Sequence, residues 1–151
     1  MFALNATGII VEGKNILITL GPIADKVDMI SSVRVLQSLG YTIYTTSGTH
    51  DIFAQEGIET IALERRDAGG NNPILEMIDQ KRFDLIINSP SGNLREEEKS
   101  GYSIRRKAVD RKIPLITNVK LAKFFVRSLL AEKKVGQFPV HSYQEYMRHP
   151  R

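Results

Sequence analysis

The sequence predicts an α/β fold: a three-layer open sheet of about five mainly parallel strands flanked by helices. Three observations carry this expectation. Short β-branched runs alternate five times with segments that have the spacing of an amphipathic helix. A crossover helix between consecutive strands makes those strands parallel. Finally, 151 residues with 42% hydrophobic and 25% charged content suffice for one domain with a full apolar core.

The elements follow in order. "NILITL" (15–20) is an apolar run after one polar start and predicts a buried strand. "ADKVDMISSVRVLQSLG" (24–40) predicts one helix with Val27, Ile30, Val33 and Leu36 as its inward stripe and Gly40 as its stop. "YTIYT" (41–45) is the second strand, and "THDIFAQEG" (49–57) a short helix ending at Gly57. "ETIAL" (59–63) is the third strand. After a polar stretch, Pro73 suits the first position of a helix over "PILEMIDQK" (73–81). "FDLIIN" (83–88) is the fourth strand, "YSIRRKAVDRK" (102–112) a helix, and "IPLITN" (113–118) the fifth strand. "VKLAKFFVRSLLAEKK" (119–134) closes the series, with Leu121, Phe124, Phe125 and Leu129 expected on one side.

Residues 1–14 and 136–151 fall outside the alternation. The expected organisation is therefore an approach segment or linker (1–14), one domain (15–135) and a C-terminal tail (136–151). The opening lacks a basic leader followed by an apolar stretch and is not expected to act as a secretory signal. No run of eighteen apolar residues indicates a transmembrane helix. Absence of Cys excludes disulfides and thiolate metal sites and fits an intracellular, cytoplasmic setting.

The net charge of +4, from 21 Lys and Arg against 17 Asp and Glu, comes with no basic-aromatic patch or nucleic-acid motif. No nucleic-acid partner is expected. A small excess of this kind suits scattered solubilising charge or a pocket for a small anion. His50, His141 and His149 have no metal-ligand spacing, and neither a phosphate-binding P-loop nor a dinucleotide fingerprint occurs. No metal, cofactor or catalytic machinery is indicated.

In open α/β sheets ligands bind beyond the carboxyl ends of the strands. The segments there are Gly21–Lys26, Thr45–Thr49, Glu64–Asn72, Asn88–Asn93 and Asn118–Lys120. Their Gly, hydroxyl, amide and cationic residues suit a phosphate held at a helix start. Thr46 and Thr49, flanking Gly48, are expected nearest such a ligand, with Lys26 or Arg65 offsetting its charge. Thr49 also reads as an ordinary N-cap, and on pattern alone capping comes first. Asn88 closes an apolar strand, so its amide needs buried partners. Arg105, Arg106, Lys107, Arg111 and Lys112 read as a solvated helix face, paired with Glu96, Glu97 and Glu98.

At these loops the chain resembles the methylglyoxal-synthase-like domain, and most closely the C-terminal regulatory domain of the carbamoyl-phosphate synthetase large chain. The carriers are "KNILITLG", "LQSLGYTIYTTSGTHDIF", "DLIINSPSGN" and "YSIRRKAVDRKIPLITNVKLAKFF". "ALNATGIIVEGKN" and "VHSYQEY" are similar to the approach and closing segments of the eukaryotic-type synthetases, which implies a fragment or a separately encoded copy of a longer enzyme. The resemblance implies a domain that is non-catalytic by itself. It would bind a phosphorylated effector and regulate the catalytic part of the synthetase, with no membrane partner and with homo-oligomerisation left open. The family's effector residues match Lys26, Thr46, Thr49, Arg65, Asn88 and Ser91; Pro90 stands where some members carry a hydroxyl.

Two departures decide between neighbours. Methylglyoxal synthases, which act on dihydroxyacetone phosphate, resemble this fold but use an aspartate where this chain reads Gly69-Gly70-Asn71. An amide cannot serve as a carboxylate base, so that activity is the alternative reading, with Asp67 the nearest acid. N-acetylglutamate-activated synthetases carry a tryptophan where Arg65 stands and asparagines at Ser91 and Gly101. A guanidinium in place of an aromatic wall implies a more anionic ligand, such as UMP or another uridine nucleotide, IMP, or phosphoribosyl pyrophosphate. The cyclohydrolase domain of purine synthesis shares the fold, but its lysine-threonine-leucine-histidine-proline segment is missing.

Overall fold

A computed structural model describes residues 2–4, 10–12, 14–64, 72–90 and 102–135. In chain order its elements are β1 (Phe2–Leu4), β2 (Ile10–Glu12), β3 (Asn15–Leu20), α1 (Ile23–Asp28), α2 (Ile30–Ser38), β4 (Thr42–Thr46) and α3 (Ser47–Gln55). They continue with β5 (Ile61–Leu63), α4 (Pro73–Asp79), β6 (Leu85–Ser89), α5 (Tyr102–Asp110), β7 (Leu115–Ile116) and α6 (Val119–Val135). The short strands β1 and β2 pair antiparallel with each other.

The main sheet has the order β5-β4-β3-β6-β7, and every pairing in it is parallel. From β3 the chain steps outward through β4 to β5, then returns to β6 and steps the other way to β7. Neighbouring loops after β3 and β6 therefore diverge, and a crevice opens at their carboxyl ends. Register across this switch point places Thr19 beside Asn88 and Leu20 beside Ser89.

The central strands are apolar on both faces because helices cover both. Ile16, Ile18, Leu20, Ile43, Leu85 and Ile87 pack in one cluster with Met29, Val33 and Leu36 at the start of and within α2, Phe53 of α3, and Val119 to Leu129 of α6. On the other face, Leu17 and Ile86 pack with Ile74 and Ile78 of α4, and Ile104 and Ala108 of α5. Tyr44 extends this second cluster edge-on to Phe83, ring centroids 5.4 Å apart. Each such side chain contributes about 1.5–3 kcal/mol when fully buried.

The predicted helix over 24–40 is interrupted at Met29 (φ −88°, ψ −6°), which ends α1 and precedes α2. The interruption moves the apolar stripe: Met29, Val33 and Leu36 are buried, whereas Val27 is 55% exposed and α1 buries none of its residues. In α6 the inward set is Val119, Ala122, Phe125, Val126 and Leu129. Leu121 and Phe124, expected inward, are 41% and 43% exposed. At 100° per residue they lie on the flank away from Ala122 and Val126, so hydrophobic type misled where angle decided.

Four helices end in the same hydrogen-bonded motif. After α2, Gly40 N–H donates to Gln37 O and Tyr41 N–H to Leu36 O; after α3, Gly57 and Ile58 repeat the pattern on Ala54 and Phe53. These glycines have φ of 93° and 74°, and both were legible as stops. At the ends of α4 and α5 the same position is held by Lys81 (φ 54°) and Lys112 (φ 58°), with Arg82 and Ile113 closing the motif. A left-handed conformation costs a non-glycine residue roughly 1–2 kcal/mol, part of which a glycine returns as unfolded-chain entropy. Lys112→Gly is therefore expected to stabilise the domain by about 0.5–1 kcal/mol, read as a raised midpoint in urea unfolding.

A surface clasp joins α4 to α5. Asp79 accepts from Lys107 Nζ at 2.8 and 2.9 Å and from Arg111 Nε at 3.1 Å. The bond from Lys107 is the main cause holding the Asp79 carboxyl below its ordinary range, with Arg111 adding to it. A depressed carboxylate stabilises above its unfolded pKa, and the effect fades as pH falls through the folded value. The stability difference between wild type and Asp79→Asn should thus be present at pH 7 and shrink as acid protonates the carboxylate, as thermal melts across pH would show.

Candidate functional site

Strand alternation builds the floor of the crevice. Residues two apart share a face, so Thr19 continues the side of Leu17, Asn88 that of Ile86, and Thr46 that of Tyr44. Thr46, Thr19 and Asn88 therefore form a polar row across β4, β3 and β6 just beyond the apolar cluster under α4 and α5. All three are buried. Asn88 Nδ2 donates to Thr19 Oγ1 at 2.6 Å, and Arg105 Nη1 donates to Asn88 Oδ1 at 2.8 Å. The Asn88 amide has found the partners its position demands.

Beside this row, Gly21 N–H donates to Ser89 Oγ at 3.2 Å, which ties the turn after β3 to the end of β6. That turn leads into α1 and brings Lys26 to the first residues of α3. A Cβ built on Gly48 would lie 3.4 Å from Lys26 Nζ, so ammonium and helix start are in contact range.

The role of Thr49 differs from the expected one. Helix α3 begins at Ser47, two residues earlier than predicted, so the N-cap position belongs to Thr46 (φ −77°, ψ 162°). Thr46 makes no side-chain capping bond, and Thr49 lies inside the first turn. Thr49 is fully buried, and its Oγ1 has no hydrogen-bond partner among the described residues. A buried hydroxyl without a partner is an exception that asks for one. Together these groups give a helix N-terminus, an ammonium and an unsatisfied hydroxyl, the components that hold an oxyanion.

Of the six expected site residues, Lys26, Thr46 and Thr49 meet at the start of α3, and Asn88 lies two strands away in the polar row. Arg65 and Ser91 lie outside the described residues, as do Asp67, Asn71 and Glu96 to Glu98. Arg105 departs from its expected place on a solvated face: Ile104 and Ala108 anchor α5 on the sheet, and Arg105 reaches the row through Asn88. Lys107 and Arg111 do lie outward, on Asp79. Asn118, in the fifth loop, is committed to accepting from Leu121 N–H at the start of α6. His50 bonds Thr60 Oγ1 through Nδ1 at 2.6 Å, and Thr45 reaches the same hydroxyl at 3.4 Å. Thr19 and Arg105 were the residues sequence reasoning missed; the Thr19–Asn88 register is their only signal, and it needs the strand pairing.

Comparison with known proteins places this geometry in a family. Residues 28–117 match the family model of the MGS-like domain. The chain belongs to the MGS-like domain family. It is 36% identical over 142 residues to multifunctional protein pyr1-3 of Dictyostelium discoideum, an alignment covering 91% of this chain and 6% of that protein. It is likewise 36% identical over 121 residues to the carbamoyl phosphate synthase large chain, C-terminal section, of Methanocaldococcus jannaschii, covering 80% of this chain and 19% of that one. This MGS-like domain thus spans a small part of the relatives it matches. A crystal structure of methylglyoxal synthase from Elizabethkingia anophelis superposes with a TM-score of 0.58 at 18% identity, covering 75% of this chain and 76% of that chain. At that identity the likeness establishes the α/β fold alone. Among the described residues, no helix is long and apolar enough to cross a membrane.

Proposed function

We propose that this MGS-like domain is an effector-binding regulatory domain of a carbamoyl-phosphate synthetase. Its ligand is a phosphorylated, nucleotide-like molecule at the carboxyl ends of β3, β4 and β6. The single observation that carries the reading is the buried Thr49 Oγ1, without a partner among the described residues, at an α3 N-terminus faced by Lys26. A phosphate oxygen there would accept from the hydroxyl, from first-turn backbone N–H groups and from the ammonium. Similarity to the Methanocaldococcus jannaschii carbamoyl phosphate synthase large chain, C-terminal section, suggests the class of enzyme being regulated. Regulation then follows if the ligand favours one arrangement of the attached catalytic part.

Chemistry within the domain is the weaker reading. Methylglyoxal synthase activity needs a base, and this chain has Asn71 where that family's aspartate falls. Titration calorimetry with UMP and IMP tests the effector reading. Wild type should bind, and Lys26→Gln should bind roughly tenfold or more weakly, with affinity in wild type falling as salt rises. Unchanged binding by the variant would remove Lys26 from the site. Phosphate release from dihydroxyacetone phosphate at enzymatic rates would replace the reading altogether.

A further inference from the structure

The polar row ends in a cation on each side. At the β4 end Lys26 Nζ lies over Gly48, and at the β6 end Arg105 donates to Asn88. The strands at these two ends, β4 and β6, lie two strand spacings apart, about 10 Å. A phosphate ion is too small to touch both, whereas a nucleoside monophosphate is long enough. The Asn88 amide is engaged at both atoms, its nitrogen on Thr19 and its oxygen by Arg105, and its side chain is buried. It is held as a brace, while the guanidinium it orients is only partly buried.

Resting on the effector reading above, we propose that Arg105 contacts the end of the nucleotide distal to the phosphate, donating to a carbonyl oxygen of the base. Asn88 is a positioning residue that acts through Arg105. The guanidinium already donates to a neutral sp² oxygen, the Asn88 amide carbonyl, and a base carbonyl is an acceptor of the same type. Its planar fork of N–H groups makes two such bonds in one plane. Arg105 is thereby the selectivity determinant for nucleotide over phosphate, and the Lys26–Thr49 end is common to every phosphorylated ligand.

Calorimetry on the full chain with inorganic phosphate, ribose 5-phosphate and UMP tests this, using wild type, Arg105→Gln, Arg105→Lys, Asn88→Ala and Thr49→Ala, each first checked for a cooperative melt. Arg105→Gln should weaken UMP roughly tenfold or more while moving phosphate and ribose 5-phosphate less than about twofold. Asn88→Ala should reproduce that split, Arg105→Lys should fall between, and Thr49→Ala should weaken all three ligands. If Arg105→Gln binds UMP like wild type while Thr49→Ala weakens every ligand, the Arg105 assignment is wrong and the effector reading stands. Equal weakening of phosphate and UMP by Arg105→Gln, as general damage to the crevice would give, also overturns the assignment. If Thr49→Ala changes nothing, or wild type binds none of the three, the effector reading itself fails.

Discussion

A Thr49→Val chain is expected to melt higher than wild type without ligand, and to gain little from a phosphorylated ligand. Valine keeps the branched shape and the volume of threonine and removes only the hydroxyl. In the ligand-free domain that hydroxyl is buried and has no partner among the described residues. Burial of an unsatisfied polar group costs about 1–3 kcal/mol, and its removal returns a comparable amount. For a chain of this size the gain corresponds to a rise of about 2–12 °C in melting temperature. Wild type should overtake the variant when ligand is added, since a ligand at a hundredfold its Kd stabilises by about 2.7 kcal/mol. Differential scanning calorimetry with and without UMP reads both arms. A variant that melts at or below wild type without ligand would show that Thr49 is satisfied in the free domain. A variant that keeps the full ligand-induced rise would show that its hydroxyl does not touch the ligand. The two results are wanted together, because a group that weakens the empty domain and strengthens the filled one is the mark of a binding residue.

Why some of this was legible and some not follows from how far each feature reaches along the chain. Period and stop signals are local, so the alternation, the Gly40 and Gly57 stops and the Pro73 helix start were all readable, and the structure has each of them. The Lys81 and Lys112 stops were not, because neither the left-handed conformation nor its motif leaves a compositional trace at lysine. Thr49 was misread as a cap because a hydroxyl before a helical run fits N-cap and first-turn positions alike. Only the backbone angles of Thr46 separate them. Arg105 was hidden by its neighbours: in a run of basic residues, the one that turns inward is chosen by the angle of Ile104 and Ala108 on the sheet. The polar row needed the order β4-β3-β6, in which Thr19 and Asn88, neighbours in space, are 69 residues apart in sequence, well beyond any local pattern.

Phe53→Ala is expected to have the largest effect on stability of any single change near the site, and the reason is the same helix. Phe53 lies in α3, fully buried in the cluster that joins β3, β4 and β6 to α2 and α6. Its carbonyl also accepts from Ile58 N–H in the motif that ends α3. Truncation of a buried phenylalanine to alanine costs about 3–5 kcal/mol, a large share of the 5–15 kcal/mol that holds a typical domain. Urea unfolding should show a midpoint far below wild type, and Phe53→Leu, which keeps most of the volume, should lose less than half as much. A small loss for Phe53→Ala would mean that α3 is not anchored through this residue. Since Lys26, Thr46 and Thr49 converge on the first turn of α3, a ligand bound there must stabilise the helix as well as itself. Saturating UMP should therefore recover a substantial part of the Phe53→Ala loss and none of it when Thr49→Val is added. Two substitutions one turn apart on α3 are thus expected to move the empty domain in opposite directions, because one removes packing from the helix and the other removes a buried hydroxyl that has no partner among the described residues.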